Sequence, residues 1–345
     1  MQLPRIATST WPPSAPIAPR AIGATPIGGR HAGHVVELGL FVVGVGMIVW
    51  GAEQFAEHLA AASARLGVST FALAVLLAGA EPEELATAVT AGVREVPAIA
   101  FGDVIGANVA ICLVALAVGA IVAPLPFSAS TMRYGLLALP PAVLAVAFAW
   151  DGSVGRAEGL VLVASYLLYV GSIWVRERRP PTLGETGELD EERDEAGRVG
   201  VELVLVLVGT AAIVVGAALL VEAVRRFTAV ESDQVALSLT VVGFATAFEL
   251  AVLAWSSARR GITDAVVAAV VGSYAYNVTM TLGVAAAVTP LGLSDAVALH
   301  LPMVLMLAAL AVVLALAARS RQLVRRDGAV LLAGYAAFVA VVVWS

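Results

Sequence analysis

Lysine is absent from this chain: all twenty basic residues are arginine. Charged residues of any kind make up only 13% of the 345, against 60% hydrophobic. A soluble domain has no means of hiding so much apolar surface, so the chain reads as an integral membrane protein. A single cysteine, Cys112, excludes an intramolecular disulfide. There are four histidines and none falls within the middle of an apolar span, which leaves an intramembrane zinc enzyme without ligands. The net charge of −6 comes mostly from residues 185–195 and argues against a nucleic-acid partner.

Residues 1–34 lack the uninterrupted apolar core of a signal peptide. Rich in Pro, Gly, Ser and Ala, they read as a disordered tail, with His31 and His34 solvated rather than metal-bound. What the chain does have is apolar stretches long enough to cross roughly 30 Å of hydrocarbon. Ten fall at about 35–56, 70–93, 98–122, 134–150, 157–175, 200–224, 235–258, 263–289, 296–318 and 328–344. The segment 176–199 is the one substantial loop, too polar to be buried. With the N-terminus outside, loops facing the cytoplasm carry thirteen arginines and opposite loops four, with three in the tail. The positive-inside bias then puts both termini outside and the 176–199 loop in the cytoplasm.

The chain also repeats itself. Residues 36–57 (VELGLFVVGVGMIVWGAEQFAE) match 201–222 (VELVLVLVGTAAIVVGAALLVE) at half of 22 positions without a gap, 165 residues apart. The same offset carries Glu84-Leu85-Ala86 onto Glu249-Leu250-Ala251 and Arg94 onto Arg259. The fold expected is therefore all-α and polytopic, with ten transmembrane helices as two five-helix repeats, 35–175 and 200–345. Five spans is an odd number, so the second repeat is inverted, which is a transporter architecture with its site near the midplane.

Residues 78–88 (AGAEPEELATA) place three glutamates and a proline inside one apolar span. A carboxylate at that depth costs about 2.5–3.5 kcal/mol on insertion scales. Glu84 and its mate Glu249 lie midway along their spans, where the pseudo-two-fold brings mates together. Two such acids in a low-dielectric interior need a cation or protons. Pro82 and Gly79 break the helix and free carbonyls beside them, and hard cations take oxygen ligands of this kind.

The stretches GAEPEELATA with FGDVIGAN, and FATAFELAV with VVGSYAYN, resemble the two α-repeats of the sodium/calcium exchangers of the calcium:cation antiporter superfamily. That resemblance implies a ten-span secondary antiporter that moves Ca²⁺ against Na⁺ or H⁺, with spans one and six sliding against the rest. It makes Glu84 and Glu249 the paired metal-ligating carboxylates. Thr246 takes the place of the family's second hydroxyl, Ser273 the serine of its G-S-N motif, and Asn277 the ligand one turn on. Glu81 replaces the corresponding first-half hydroxyl, and Asp103 replaces the asparagine of G-N. The chain departs from the family at Ala80 and Ala245 in place of threonines, at Ala107 and Ile111 in place of ligands, and at Phe248 in place of the second proline. The balance shifts from neutral ligands to acids, which keeps a Na⁺/H⁺ or other monovalent antiporter as the alternative.

The resemblance implies no cofactor beyond the transported ions, and the partners expected are inorganic cations and the lipid bilayer, with no obligatory protein partner. The location expected is the cell membrane. Glu83-Glu84 also resembles the paired glutamates of prenyl-protein-processing membrane proteases, but Ala88 stands where that motif needs arginine. An enzyme is therefore not expected. Glu37 and Glu202 read as end-of-helix charges, His300 as interfacial, and Trp50, Trp150, Trp174 and Trp344 as an aromatic belt. Asn108 reads either as a site residue or as a hydrogen bond between helices.

Overall fold

In lipid every backbone polar group needs a partner within the protein, and a helix supplies it locally. The computed structural model describes residues 27–66, 81–177, 199–261 and 263–344, and almost all of it is helix. The first repeat comprises α1 (Ile27–Leu66), α2 (Pro82–Val93), α3 (Pro97–Val122), α4 (Ala129–Ala149) and α5 (Arg156–Glu177). The second comprises α6 (Val199–Phe227), α7 (Glu231–Arg260), α8 (Thr263–Tyr276, continuing through Asn277–Thr281 and Leu282–Val288), α9 (Val297–Ser320) and α10 (Arg325–Trp344). Among the described residues nine of these helices are long and apolar enough to span a bilayer. The tenth, α2, begins at Pro82, and the earlier part of its expected span lies outside the described residues. So do residues 1–26 of the expected tail, residues 178–198 of the expected loop, and Gly79.

Two short ladders record the inversion. Strand β1 (Leu125–Pro126), after α3, pairs antiparallel with β4 (Gln322–Leu323), after α9. Strand β2 (Ser153–Val154), after α4, pairs with β3 (Leu291–Gly292), after α8. Each ladder joins the third connection of one repeat to the fourth of the other. Those connections share a membrane face only if the two five-helix units run in opposite senses.

The arrangement is a central pair inside a ring. In α3 and α8, which are repeat mates, 89% and 94% of the apolar window is buried, against 44% or less elsewhere. Both carry a π turn at matching places, Ile111–Ala115 and Asn277–Thr281. At the edge, α1 and α6 pack against each other, with Val42, Val43, Leu203 and Leu207 exposed toward lipid. Their contact is backbone on backbone: a Cβ on Gly44 would lie 2.9 Å from Gly216 O, and one on Gly51 would lie 2.7 Å from Gly209 O. The pseudo-two-fold exchanges these two contacts, since Gly44 and Gly209 are mates and so are Gly51 and Gly216. Small residues let helices approach this closely. At the end of α1, His58 Nδ1 lies 2.7 Å from Glu202 Oε2 of α6, so Glu202 is a buried partner in an interhelical pair.

A candidate cation site between the repeats

Within the described residues, α2 starts on Pro82, the proline of the acidic stretch 78–88. At that first position the missing N–H is no loss. Glu81 is the N-cap residue; its carbonyl accepts from Leu85 N at 3.1 Å, and its side chain makes no cap bond. Glu83 and Glu84 occupy the first turn. The mate helix behaves alike: α7 passes through a π turn at Ser238–Val242, breaks at Ala247 and restarts at Phe248 with Glu249 in its first turn. Both glutamates therefore sit where unpaired N–H groups and the helix dipole favour negative charge. Helix starts that aim at the midplane are how transporters build their sites.

Glu84 is wholly buried, and Glu81, Glu83 and Asp103 are buried with it. Glu249 is only partly buried, so the two repeats do not present their acids equally. Glu81, Asp103 and Glu83 are the charged neighbours of Glu84. Neutral donors come from the other repeat: Thr246 Oγ1 donates to Asp103 Oδ1 at 3.0 Å, and Asn277 Nδ2 donates to Glu81 Oε2 at 3.0 Å. Ser273 is buried one turn before Asn277 on α8. The structure thus brings Glu81, Glu84, Asp103, Thr246 and Asn277 together across the repeat interface.

Several oxygens remain without a hydrogen bond: both of Glu84, Oε1 of Glu81 and Oδ2 of Asp103. Among the described residues no arginine pairs with Glu84. Leaving buried anionic oxygens unpaired is costly, and a hard cation of about the size of Na⁺ or Ca²⁺ takes ligands of this chemistry. Among the described residues no three His, Cys, Asp or Glu side chains converge as a finished metal cage, so the oxygens form an open cluster rather than a closed one.

Thr281 is a contributor that sequence reasoning missed. Its Oγ1 donates to Asn277 Oδ1 at 3.2 Å, which turns the amide so that its nitrogen faces Glu81. The signal was a hydroxyl four residues after Asn277 on a buried helix. Among the described residues Asn108 makes no hydrogen bond between helices: its Nδ2 donates to Val104 O of its own helix at 2.9 Å, and its Oδ1 is buried without a partner. On the central helix α3, a Cβ on Gly106 would collide with Leu239 O of the α7 π turn, so only glycine lets the two backbones touch beside Asp103. His300 stacks on Trp150 with ring centroids 4.2 Å apart and donates from Nε2 to its carbonyl at 2.8 Å, an interfacial arrangement.

The model of the sodium/calcium exchanger protein family matches residues 36–175 and 201–344, one match per repeat. Among curated proteins, the inner membrane protein YrbG of Escherichia coli (strain K12) is 25% identical over 319 residues, covering 88% of this chain and 96% of the relative. The sodium/calcium exchanger MaX1 of Methanosarcina acetivorans is 24% identical over 341 residues, covering 88% and 97%. The solved structure of the sodium-calcium exchanger NCX_Mj soaked with Na⁺ and Sr²⁺ superposes with a TM-score of 0.59 at 20% identity, covering 89% of this chain and 98% of the other. With both repeats matched and the ten-helix fold shared, this chain belongs to the sodium/calcium exchanger family and is a cation antiporter.

Proposed function

We propose that the chain exchanges Ca²⁺ for Na⁺ or H⁺ by alternating access at a midplane site built on Glu84 and Glu249, with Asn277, Ser273, Thr246, Glu81 and Asp103 completing the ligand set. The observation that carries this reading is Glu84: wholly buried, in the first turn of its helix, with neither oxygen held by an arginine, amide or hydroxyl and with three acids beside it. Ca²⁺ neutralises the acids and is displaced by Na⁺ or protons arriving from the other side. The paired helices α1 and α6 slide as one piece against the remaining eight and expose the site to each face in turn. The location that fits is the cell membrane, with both termini outside and the 176–199 loop in the cytoplasm. The name of the Escherichia coli relative, an inner membrane protein, supports it. No cofactor and no obligatory protein partner enter this scheme.

Calcium uptake into vesicles tests it. Glu84→Gln and Glu249→Gln abolish uptake while the protein stays folded and inserted; full activity in both variants defeats the assignment. The second reading, a Na⁺/H⁺ or other monovalent antiporter, draws on the exchange of neutral ligands for acids at Glu81 and Asp103. Proteoliposomes loaded with Na⁺ separate the two readings: calcium entry supports the first. Na⁺ efflux driven by a pH gradient alone, with calcium excluded, supports the second.

A further inference from the structure

At the end of α2, Arg94 Nη1 lies 3.3 Å from Glu222 Oε2 near the end of α6. This contact ties the α1–α6 pair to the ring on the face opposite the 176–199 loop. The repeat offset turns Arg94 into Arg259 and Glu57 into Glu222, so a mirror contact between Arg259 and Glu57 is encoded on the loop face. It is not made here. Glu57 is exposed on α1, and the Arg259 guanidinium lies 4.8 Å over the ring of Trp255 on its own helix.

We infer that Arg94–Glu222 and Arg259–Glu57 are the two latches of the exchange cycle, closed alternately as α1 and α6 shift between the faces. The inference rests on the alternating-access reading above. In an inverted repeat, exchanging the conformations of the two halves generates the opposite-facing state. Because the backbone contacts at Gly44–Gly216 and Gly51–Gly209 and the His58–Glu202 pair join α1 to α6, one shift carries Glu222 away from Arg94 and Glu57 toward Arg259. Partly exposed ion pairs are weak, which suits contacts that break on every turnover.

The two latches are not equal. Glu222 also holds Arg226 Nε at 2.7 Å and Arg225 Nε at 3.9 Å on its own helix, whereas the positions equivalent to those arginines on α1 are Ala60 and Ala61. Arg259 rests on Trp255, while the position equivalent to Trp255 is Thr90, so Arg94 has no aromatic ring to rest on when released. The aromatic seat of Arg259 favours the state in which the Arg94 latch is closed, whereas Arg225 and Arg226 give a released Glu222 local partners that a released Glu57 lacks and so ease that latch open.

Cross-linking of the full chain tests this independently of which ions move. In a Cys112→Ala background, one chain carries Arg94→Cys with Glu222→Cys and another Glu57→Cys with Arg259→Cys. A short bis-maleimide is the probe, because Arg and Glu side chains reach beyond the ~5.5–6 Å Cα separation of a disulfide. A protease site placed in the 176–199 loop separates the halves unless they are linked. Both pairs are expected to link, each in part of the population, and either link stops exchange. Linking at Arg94/Glu222 but never at Glu57/Arg259, both links forming in one molecule of a four-cysteine chain, or undiminished exchange by linked protein overturns the proposal.

Charge reversal gives a second readout should the cysteine chains fail to insert. Glu57→Arg and Arg259→Glu singly slow exchange by about threefold, the scale of an exposed pair, and the double variant recovers it. A double variant no faster than the singles overturns the second latch. Loss of all calcium and sodium transport in the parent chain, by contrast, counts against the antiport reading and leaves the cross-link pattern standing on its own.

Discussion

Glu84 and Thr281 mark two kinds of residue at the site, one that holds charge and one that aims another group. The Asn277 amide has two orientations, and the Thr281 hydroxyl decides between them by occupying Oδ1. Thr281→Val is expected to free the amide, loosen its bond to Glu81 and weaken cation affinity by about tenfold, the size of a hydrogen bond to a charged group. Thr281→Ser, which keeps the hydroxyl, preserves affinity. Equilibrium binding of ⁴⁵Ca²⁺ checks both. Thr246→Val acts on Asp103 in the same way, since it strips the hydrogen bond that Thr246 Oγ1 donates to Asp103 Oδ1. It leaves a buried acid unsatisfied, at a cost of about 1–3 kcal/mol in stability, read as a lower unfolding temperature in cation-free detergent solution. Added calcium recovers part of that loss, because a ligand bound only by the folded state stabilises by about 2.7 kcal/mol at a hundred times its dissociation constant.

Among the elements, the α1–α6 pair behaves differently from the rest. It is joined by backbone contact at two glycine pairs and by His58–Glu202, and much of its outer surface faces lipid. A bulky residue at either contact has no flexible neighbour to displace: Gly51→Leu meets Gly209 O and Ile213 N, at 2.7 and 2.9 Å even from its Cβ. Forcing the helices apart costs about 1–3 kcal/mol by overpacking. Gly51→Leu is expected to lower the unfolding temperature and to stop exchange. Gly39→Leu, where nothing lies within 4 Å, leaves both unchanged. In the proposed cycle the helices that carry Glu84 and Glu249 in their first turns are the complementary part, held in place while the outer pair moves.

For the molecule as a whole, the two ladders fix which connections share a face, and the arginine distribution is the ground on which the β1–β4 face is proposed to be cytoplasmic. The β1–β4 ladder sits with the 176–199 loop, and Arg319, Arg321, Arg325 and Arg326 cluster around it. A reporter cysteine at Ser320 is expected to react with an impermeant maleimide in inside-out vesicles only, and one at Ser153, beside the β2–β3 ladder, in right-side-out vesicles only. Labelling in the reverse sense inverts the assigned orientation without changing the fold.

Much of this was readable along the chain. Hydropathy marks the helices because lipid forbids irregular exposed backbone, and the 165-residue offset with five spans per repeat requires inversion. Glu84 and Glu249 stand out because a carboxylate at that depth has few other reasons to be there. What the chain did not disclose depends on side-chain direction and on contacts between distant segments. That Glu83 and Glu84 fall in the first turn of a helix beginning at Pro82 follows from where its hydrogen-bond ladder begins. The division of labour, with three buried acids beside Glu84 in one repeat and the hydroxyl and amide donors in the other, arises because Asp103 and Thr246 meet across an interface 143 residues wide in sequence. Which ion pair is made has the same origin: repeat symmetry in the sequence supplies both Arg94 with Glu222 and Arg259 with Glu57, but a packed chain rests on one side of its pseudo-two-fold, and the three-dimensional arrangement selects the first.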